Sequence, residues 1–161
     1  MPGMPNENAL RKFPLLLMVL SFLGFLDSMY LTANRFFGVP LKCNITHHCD
    51  VVTASSYSTV LHVPVVLAGV FFYLAVFFAA YLYLETKNRK FLVAAALLPV
   101  GGFLFSLWLT AVQVFILHAL CQYCLLSAAS STLLFFVGLA TLKTLAKISD
   151  PSPLPDAAAQ E

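Results

Sequence analysis

Charge is what this sequence has least of. Only 10% of its 161 residues are Asp, Glu, Lys or Arg, where soluble domains carry about 25%. So little charge cannot cover a water-facing surface, and an ordinary soluble domain is excluded. The net charge of +2 is too small to make a nucleic-acid surface. Cysteine is scarce as well, and four in the whole chain exclude a disulfide-dense scaffold. Internal repeats are lacking. So are the segments of alternating apolar and polar residues that a membrane β-barrel needs. Disordered chains are poor in aromatics, and this one is 14% aromatic.

What the chain has in place of charge is apolar length. Hydrophobic residues make up 60% of it and the mean hydropathy is +0.88, so lipid is the solvent that this composition needs. Four charge-poor runs stand out. The first, Phe13 to about Asn34, holds one formal charge, Asp27. The second runs from about Pro64 to Leu84, the third from Phe91 to Leu117, and the fourth from about Cys121 to Leu142. Each is long enough, at about 1.5 Å per residue, to cross about 30 Å of hydrocarbon. The first is too long for the apolar region of a cleaved signal peptide. Pro99, Gly101 and Gly102 predict a kink in the third.

Basic residues set the orientation. Arg11, Lys12, Lys87, Arg89, Lys90, Lys143 and Lys147 fall on one side, against Arg35 and Lys42 on the other. The fold expected is an all-α integral membrane protein, a four-transmembrane-helix bundle with both termini cytoplasmic. A long outer loop, about 35–63, joins helices 1 and 2. Residues 1–12 form a cytoplasmic N-terminal segment, 13–145 the membrane domain, and 146–161 a disordered cytoplasmic tail.

All four cysteines fall in the outer connections of this topology, where disulfides persist. Cys43 and Cys49 lie in the long loop. Cys121 and Cys124 form a Cys-Gln-Tyr-Cys motif where the fourth helix begins. A CxxC at a helix N-terminus gains thiolate stability from unpaired amides and the helix dipole. Its sulfurs share one helical face and can close an exchangeable disulfide. At the membrane boundary this pair can meet a lipid-soluble molecule, while the loop pair can meet a water-soluble one. Two such pairs suggest a thiol–disulfide relay. The plainer reading is two static disulfides that staple the loop.

The order of these features resembles the vitamin K epoxide reductase family in its bacterial form. The resemblance rests on Cys43 and Cys49, the stretch Ser55-Ser56-Tyr57-Ser58-Thr59-Val60, His62-Val63-Pro64, Gly69, and Cys121-Gln122-Tyr123-Cys124. It implies a four-helix bundle around a quinone pocket, with ubiquinone or menaquinone as electron acceptor. It further implies that Cys124 faces the quinone, that Cys121 exchanges with the loop, and that Cys43 and Cys49 shuttle electrons from a partner. Ser55 matches a hydroxyl that helps bind or polarise the quinone. Many bacterial relatives carry a fused thioredoxin-like domain. This chain stops at 161, so the expected partner is a separate extracytoplasmic thioredoxin-fold protein, DsbA-like, at the inner membrane. Animal members have an Asn just before span two and a Tyr four residues after the second CxxC cysteine. Val65, Val66 and Ala128 stand in those regions here, which favours a plain quinone over vitamin K epoxide.

Other polar residues have both sharp and bland readings. Asp27, inside span one, is a proton relay or a hydrogen-bonded structural acid with a partner such as Thr32 or Tyr30. Gln113 reads as helix–helix glue. His47 and His48, between the loop cysteines, make a metal-binding outer loop the leading alternative function, although no metal is expected. His62 reads as an interfacial loop residue. His118 either tunes Cys121 or caps span three. Trp108 and the tyrosines pack or anchor at interfaces.

Overall fold

The computed structural model describes residues 7–38, 52, 58–60 and 63–149. Four long helices dominate it. They are α1 (Glu7–Phe37), α2 (Val65–Thr86), α3 (Arg89–Ala111) and α4 (Gln122–Ser149). All four are long and apolar enough to cross a membrane. Just before α2, a minimal antiparallel pair, β1 (Thr59–Val60) and β2 (Val63–Pro64), sets Thr59 opposite Pro64 and Val60 opposite Val63.

The helices form a ring in chain order. Each packs on its sequence neighbours, and α1 closes the ring against α4, while α1 and α3 barely touch across the diagonal. Lipid supplies no hydrophobic drive between helices, so close approach depends on small residues. A Cβ on Gly138 would lie 2.6 Å from the Ala96 carbonyl oxygen, so glycine lets α3 and α4 meet backbone to backbone. Gly24 of α1 gives room in the same way to the Tyr73 ring of α2. The core then fills with Leu17, Tyr73, Val76, Ala80, Ala95 and Leu134. Large apolar side chains face outward along the bundle, among them Phe71, Phe78, Leu104 and Phe136. A lipid-facing surface has this character. Hydroxyls inside the helices satisfy themselves on the preceding turn, as Thr141 Oγ1 does on the Val137 carbonyl at 2.8 Å.

The turn between α2 and α3 shows why the chain reverses there. Lys87 takes a left-handed conformation (φ 53°) and its N–H closes on the Tyr83 carbonyl. Asn88 then caps α3 by accepting from the Lys90 N–H at 3.1 Å. Arg89 reaches across to the Leu145 carbonyl at 3.2 Å, so a cation sits on the last turns of α4.

Two boundaries differ from the sequence expectation. Helix α1 begins at Glu7, ahead of Phe13, because Glu7, Ala9, Leu10, Arg11 and Lys12 are helix formers that extend the span into polar sequence. Helix α4 runs to Ser149, so the first residues of the expected tail are helical, supported by Arg89 on its carbonyls. The helix of span three runs on through Pro99, Gly101 and Gly102. Its irregular turn comes later, as a π-helical segment at Val112–Ile116. The far N-terminus and the tail beyond Ser149 lie outside the described residues.

Candidate active site

The CxxC stands where the fourth helix begins. Cys121 occupies the N-cap position of α4, and its sulfur accepts from the backbone N–H groups of Tyr123 and Cys124. These are the second and third residues of the helix, whose amides lack intrahelical partners. The Cys124 thiol adds a third hydrogen bond to the same sulfur. That side-chain bond is the largest influence on Cys121 and favours its thiolate. Burial opposes it, the two amides reinforce it, and the nearby Asp27 charge opposes it. The balance pulls the Cys121 thiol down from 9.0 to about 7. Both cysteines are thiols in this structure.

The approach to this cap is irregular. After α3 the chain makes its π turn, closed by the Leu117 N–H on the Val112 carbonyl at 3.0 Å. The Ala119 N–H bonds the Gln113 carbonyl at 3.1 Å, and His118 sits in the left-handed region (φ 45°). The Gln113 side chain then takes the Cys121 N–H on its Oε1 at 3.0 Å. One residue of α3's end therefore holds two points of the turn that presents the CxxC.

Cys121 is fully buried beneath Val52 and Ala119, with Leu117 and Tyr123 packed around them. Val52 belongs to the long connection between α1 and α2, three residues past Cys49. Tyr123 also meets Tyr30 of α1, ring centroids 5.2 Å apart.

Cys124, one turn further into α4, faces a different environment. It lines a cavity of about 380 Å³ built by all four helices, within the usual range for small-molecule sites. Leu31, Val66, Phe72, Phe105 and Leu109 give it apolar walls. Ser28, Ser106, Thr110, Gln113, Ser127 and Ser131 contribute polar groups. Tyr73, 1% exposed, donates its hydroxyl to the Ser127 carbonyl at 2.9 Å and shares contacts with the Ser127 and Ser131 hydroxyls. That cluster ties α2 to α4 along the cavity wall.

Of the residues singled out from sequence, Cys121, Cys124, Gln113 and Asp27 come together here. Asp27 projects from α1 with its Oδ2 sealed from solvent and without a hydrogen-bond partner among the described residues. It lies within electrostatic reach of both thiols. The Thr32 hydroxyl donates to the Ser28 carbonyl, 2.8 Å away, and so does not serve as Asp27's partner. Cys43, Cys49, Ser55, His47, His48 and His62 lie outside the described residues. Among the described residues, no three His, Cys, Asp or Glu side chains converge on a metal-sized site.

Sequence reading undervalued Gln113, Tyr73, Ser127 and Ser131. One signal was available: Cys124, Ser127 and Ser131 follow the i, i+3, i+7 spacing of one helical face. A hydroxyl stripe running on from a redox cysteine marks a cavity wall.

The family model of the vitamin K epoxide reductase family matches residues 15–139, from the first helix almost to the end of the fourth. A search of curated proteins found no match.

Proposed function

The chain belongs to the vitamin K epoxide reductase family and is a multi-pass membrane oxidoreductase; from that premise we propose that it generates disulfides with quinone as electron acceptor. The observation that carries this reading is the division of the CxxC between two environments. Cys121 packs against Val52 of the connection that bears Cys43 and Cys49, while Cys124 lines a largely apolar cavity of a size for a small lipid-soluble oxidant.

The proposed sequence starts at the loop. A thiolate of a separate thioredoxin-fold partner attacks the Cys43–Cys49 disulfide and leaves as the partner's own disulfide. A freed loop thiolate attacks Cys121 of the Cys121–Cys124 disulfide and releases Cys124. Completion of the exchange restores the loop disulfide and leaves both CxxC sulfurs reduced. Cys121 and Cys124 then return to the disulfide, and their two electrons and two protons pass to quinone to give quinol. A low thiol pKa speeds departure of the Cys121 sulfur in the exchange steps. The tether at Val52 supports the exchange between the loop pair and Cys121, because three residues of chain reach at most about 11 Å. Ser55 and Asp27 are assigned, on the resemblance and on position respectively, to the quinone and to the electrostatics of the pair.

The cytoplasmic placement of the termini, the inner membrane and the extracytoplasmic face of the cysteines belong to the same proposal. Their support is the basic residues gathered at one end of the bundle. The test is direct. Reduced protein, freed of reductant, is mixed with ubiquinone-1 and quinone absorbance is followed beside a Cys124→Ala variant. Loss of quinone that requires Cys124 is expected. No loss in folded protein with free thiols would reject the reading.

A further inference from the structure

We propose that Gln113 binds the substrate quinone, its side-chain Nε2 donating a hydrogen bond to a carbonyl oxygen held beside Cys124. The proposal rests on the quinone-oxidase reading above and assigns the polar contact within that site.

The argument starts from what an amide can do. Its oxygen only accepts and its nitrogen only donates. The Cys121 backbone N–H can only donate, so the Gln113 group that meets it at 3.0 Å is the oxygen. That bond fixes the orientation of the amide and leaves the NH₂ group on the other side. Gln113 is 4% exposed and lines the cavity together with Cys124. Its Nε2 makes no hydrogen bond among the described residues. A donor with no protein partner at a cavity wall gains a hydrogen bond from an occupant with a carbonyl acceptor and none from a purely apolar one. The walls that would enclose its ring are apolar and aromatic, with Phe72 and Phe105 among them.

The π turn explains how one side chain serves both purposes. A π-helical segment adds a residue to a turn and commonly marks a functional position. Here it carries Gln113, whose carbonyl and side chain both hold the segment leading into the CxxC. Chemically, the two CxxC thiols lose two electrons and two protons as their disulfide forms, and quinone gains both as quinol. Negative charge develops on a quinone oxygen during that transfer. The amide stabilises it with a preorganised N–H and undergoes no protonation change itself. Gln113 thereby sets the distance between the quinone oxygen and the CxxC turn from a single anchor.

The decisive variant is Gln113→Glu. Measured at alkaline pH, where the carboxyl is ionised, it keeps an oxygen for the Cys121 N–H and replaces the cavity-facing donor by an acceptor. Two half-reactions are measured on the full chain: reduction of the oxidised protein by dithiothreitol, and reduction of ubiquinone-1 by the reduced protein. Infrared difference spectra with ubiquinone-1 carrying ¹³C at one carbonyl or the other report which oxygen is hydrogen-bonded. The expected result is quinone reduction that falls about ten- to a hundredfold further than dithiothreitol reduction does, and loss of the carbonyl down-shift seen in the wild type; the dithiothreitol rate measures what the new charge beside Cys121 does to the thiols alone. Wild-type quinone kinetics with an unchanged carbonyl band would overturn the proposal. If the Glu variant does not fold, Gln113→Met carries the same spectral test: persistence of the carbonyl down-shift overturns the proposal and its loss supports it. If the wild-type protein itself fails to reduce ubiquinone-1, the proposed function falls and this assignment with it. That outcome is distinct from a defect confined to the variants.

Discussion

Replacing Cys124 by Ala should raise the titration midpoint of Cys121. The reasoning comes from the cap of α4. The Cys121 sulfur is held by one thiol and two backbone amides, against burial and the Asp27 charge, and its thiol sits at about 7 where an unperturbed one sits at 9.0. The thiol hydrogen bond is the largest of these influences, so its removal leaves only the amides and the helix dipole to favour the thiolate. At pH 8 a group at about 7 is roughly 90% thiolate, and one near 9 is roughly 10%. The signal in play is therefore close to an order of magnitude. The assay is thiolate absorbance near 240 nm, read by pH titration of reduced protein in detergent. It works on a buried sulfur that alkylating reagents reach poorly. Cys43→Ala and Cys49→Ala form the background, so that only the CxxC titrates. The midpoint should lie near 7 in that background and climb towards 9 with Cys124→Ala. Cys124→Ser, which retains a hydroxyl donor, should stay close to the lower value. A background midpoint near 9, or no response to Cys124→Ala, would refute the account of the cap.

Other consequences follow from the packing and the polar contacts. Asp27→Asn should lower the Cys121 midpoint in the same titration, because the carboxylate charge opposes thiolate formation; an unmoved midpoint would mean that no carboxylate charge reaches the sulfur. Gly138→Ala should destabilise the bundle by about 1–3 kcal/mol, since the new methyl group meets the Ala96 backbone oxygen rather than a movable side chain. Thermal unfolding in detergent would show it, and an unchanged midpoint would contradict the close approach of α3 and α4. Tyr73→Phe should cost about 1–2 kcal/mol by removing the hydroxyl that joins α2 to the Ser127 carbonyl. The Cys121 titration should stay unchanged, which separates a lost wall contact from a damaged cap.

The limits of sequence reading are clearest around the third helix. The four spans could be read because Arg11, Lys12, Lys87, Arg89, Lys90, Lys143 and Lys147 bracket runs with almost no charge, and lipid makes that contrast physically necessary. The CxxC could be read for a similar reason, since two cysteines three apart at a span boundary have few uses. The π turn could not. Its stability depends on Gln113 meeting a backbone N–H eight residues later, and no local propensity encodes that contact. The backbone leaves α-helical hydrogen bonding a dozen residues past Pro99, where the sequence carries no Pro or Gly to mark it. Tyr73 was also hidden. Span two is apolar all round, so nothing in its pattern separates the side facing the cavity from the side facing lipid. Its hydroxyl finds Ser127 and Ser131 only once the bundle sets α2 across from α4.

The most direct measurement of the central claim is the stoichiometry of a single oxidation. Protein with all four cysteines reduced is mixed with excess ubiquinone-1, and quinol formed is counted against thiols lost. The relay requires about two quinols per chain, about one when Cys43 and Cys49 are both alanine, and none without Cys124. Equal quinol yields with and without the loop pair would contradict passage of electrons from the loop through the CxxC. Thiol loss without quinol would contradict quinone as the acceptor.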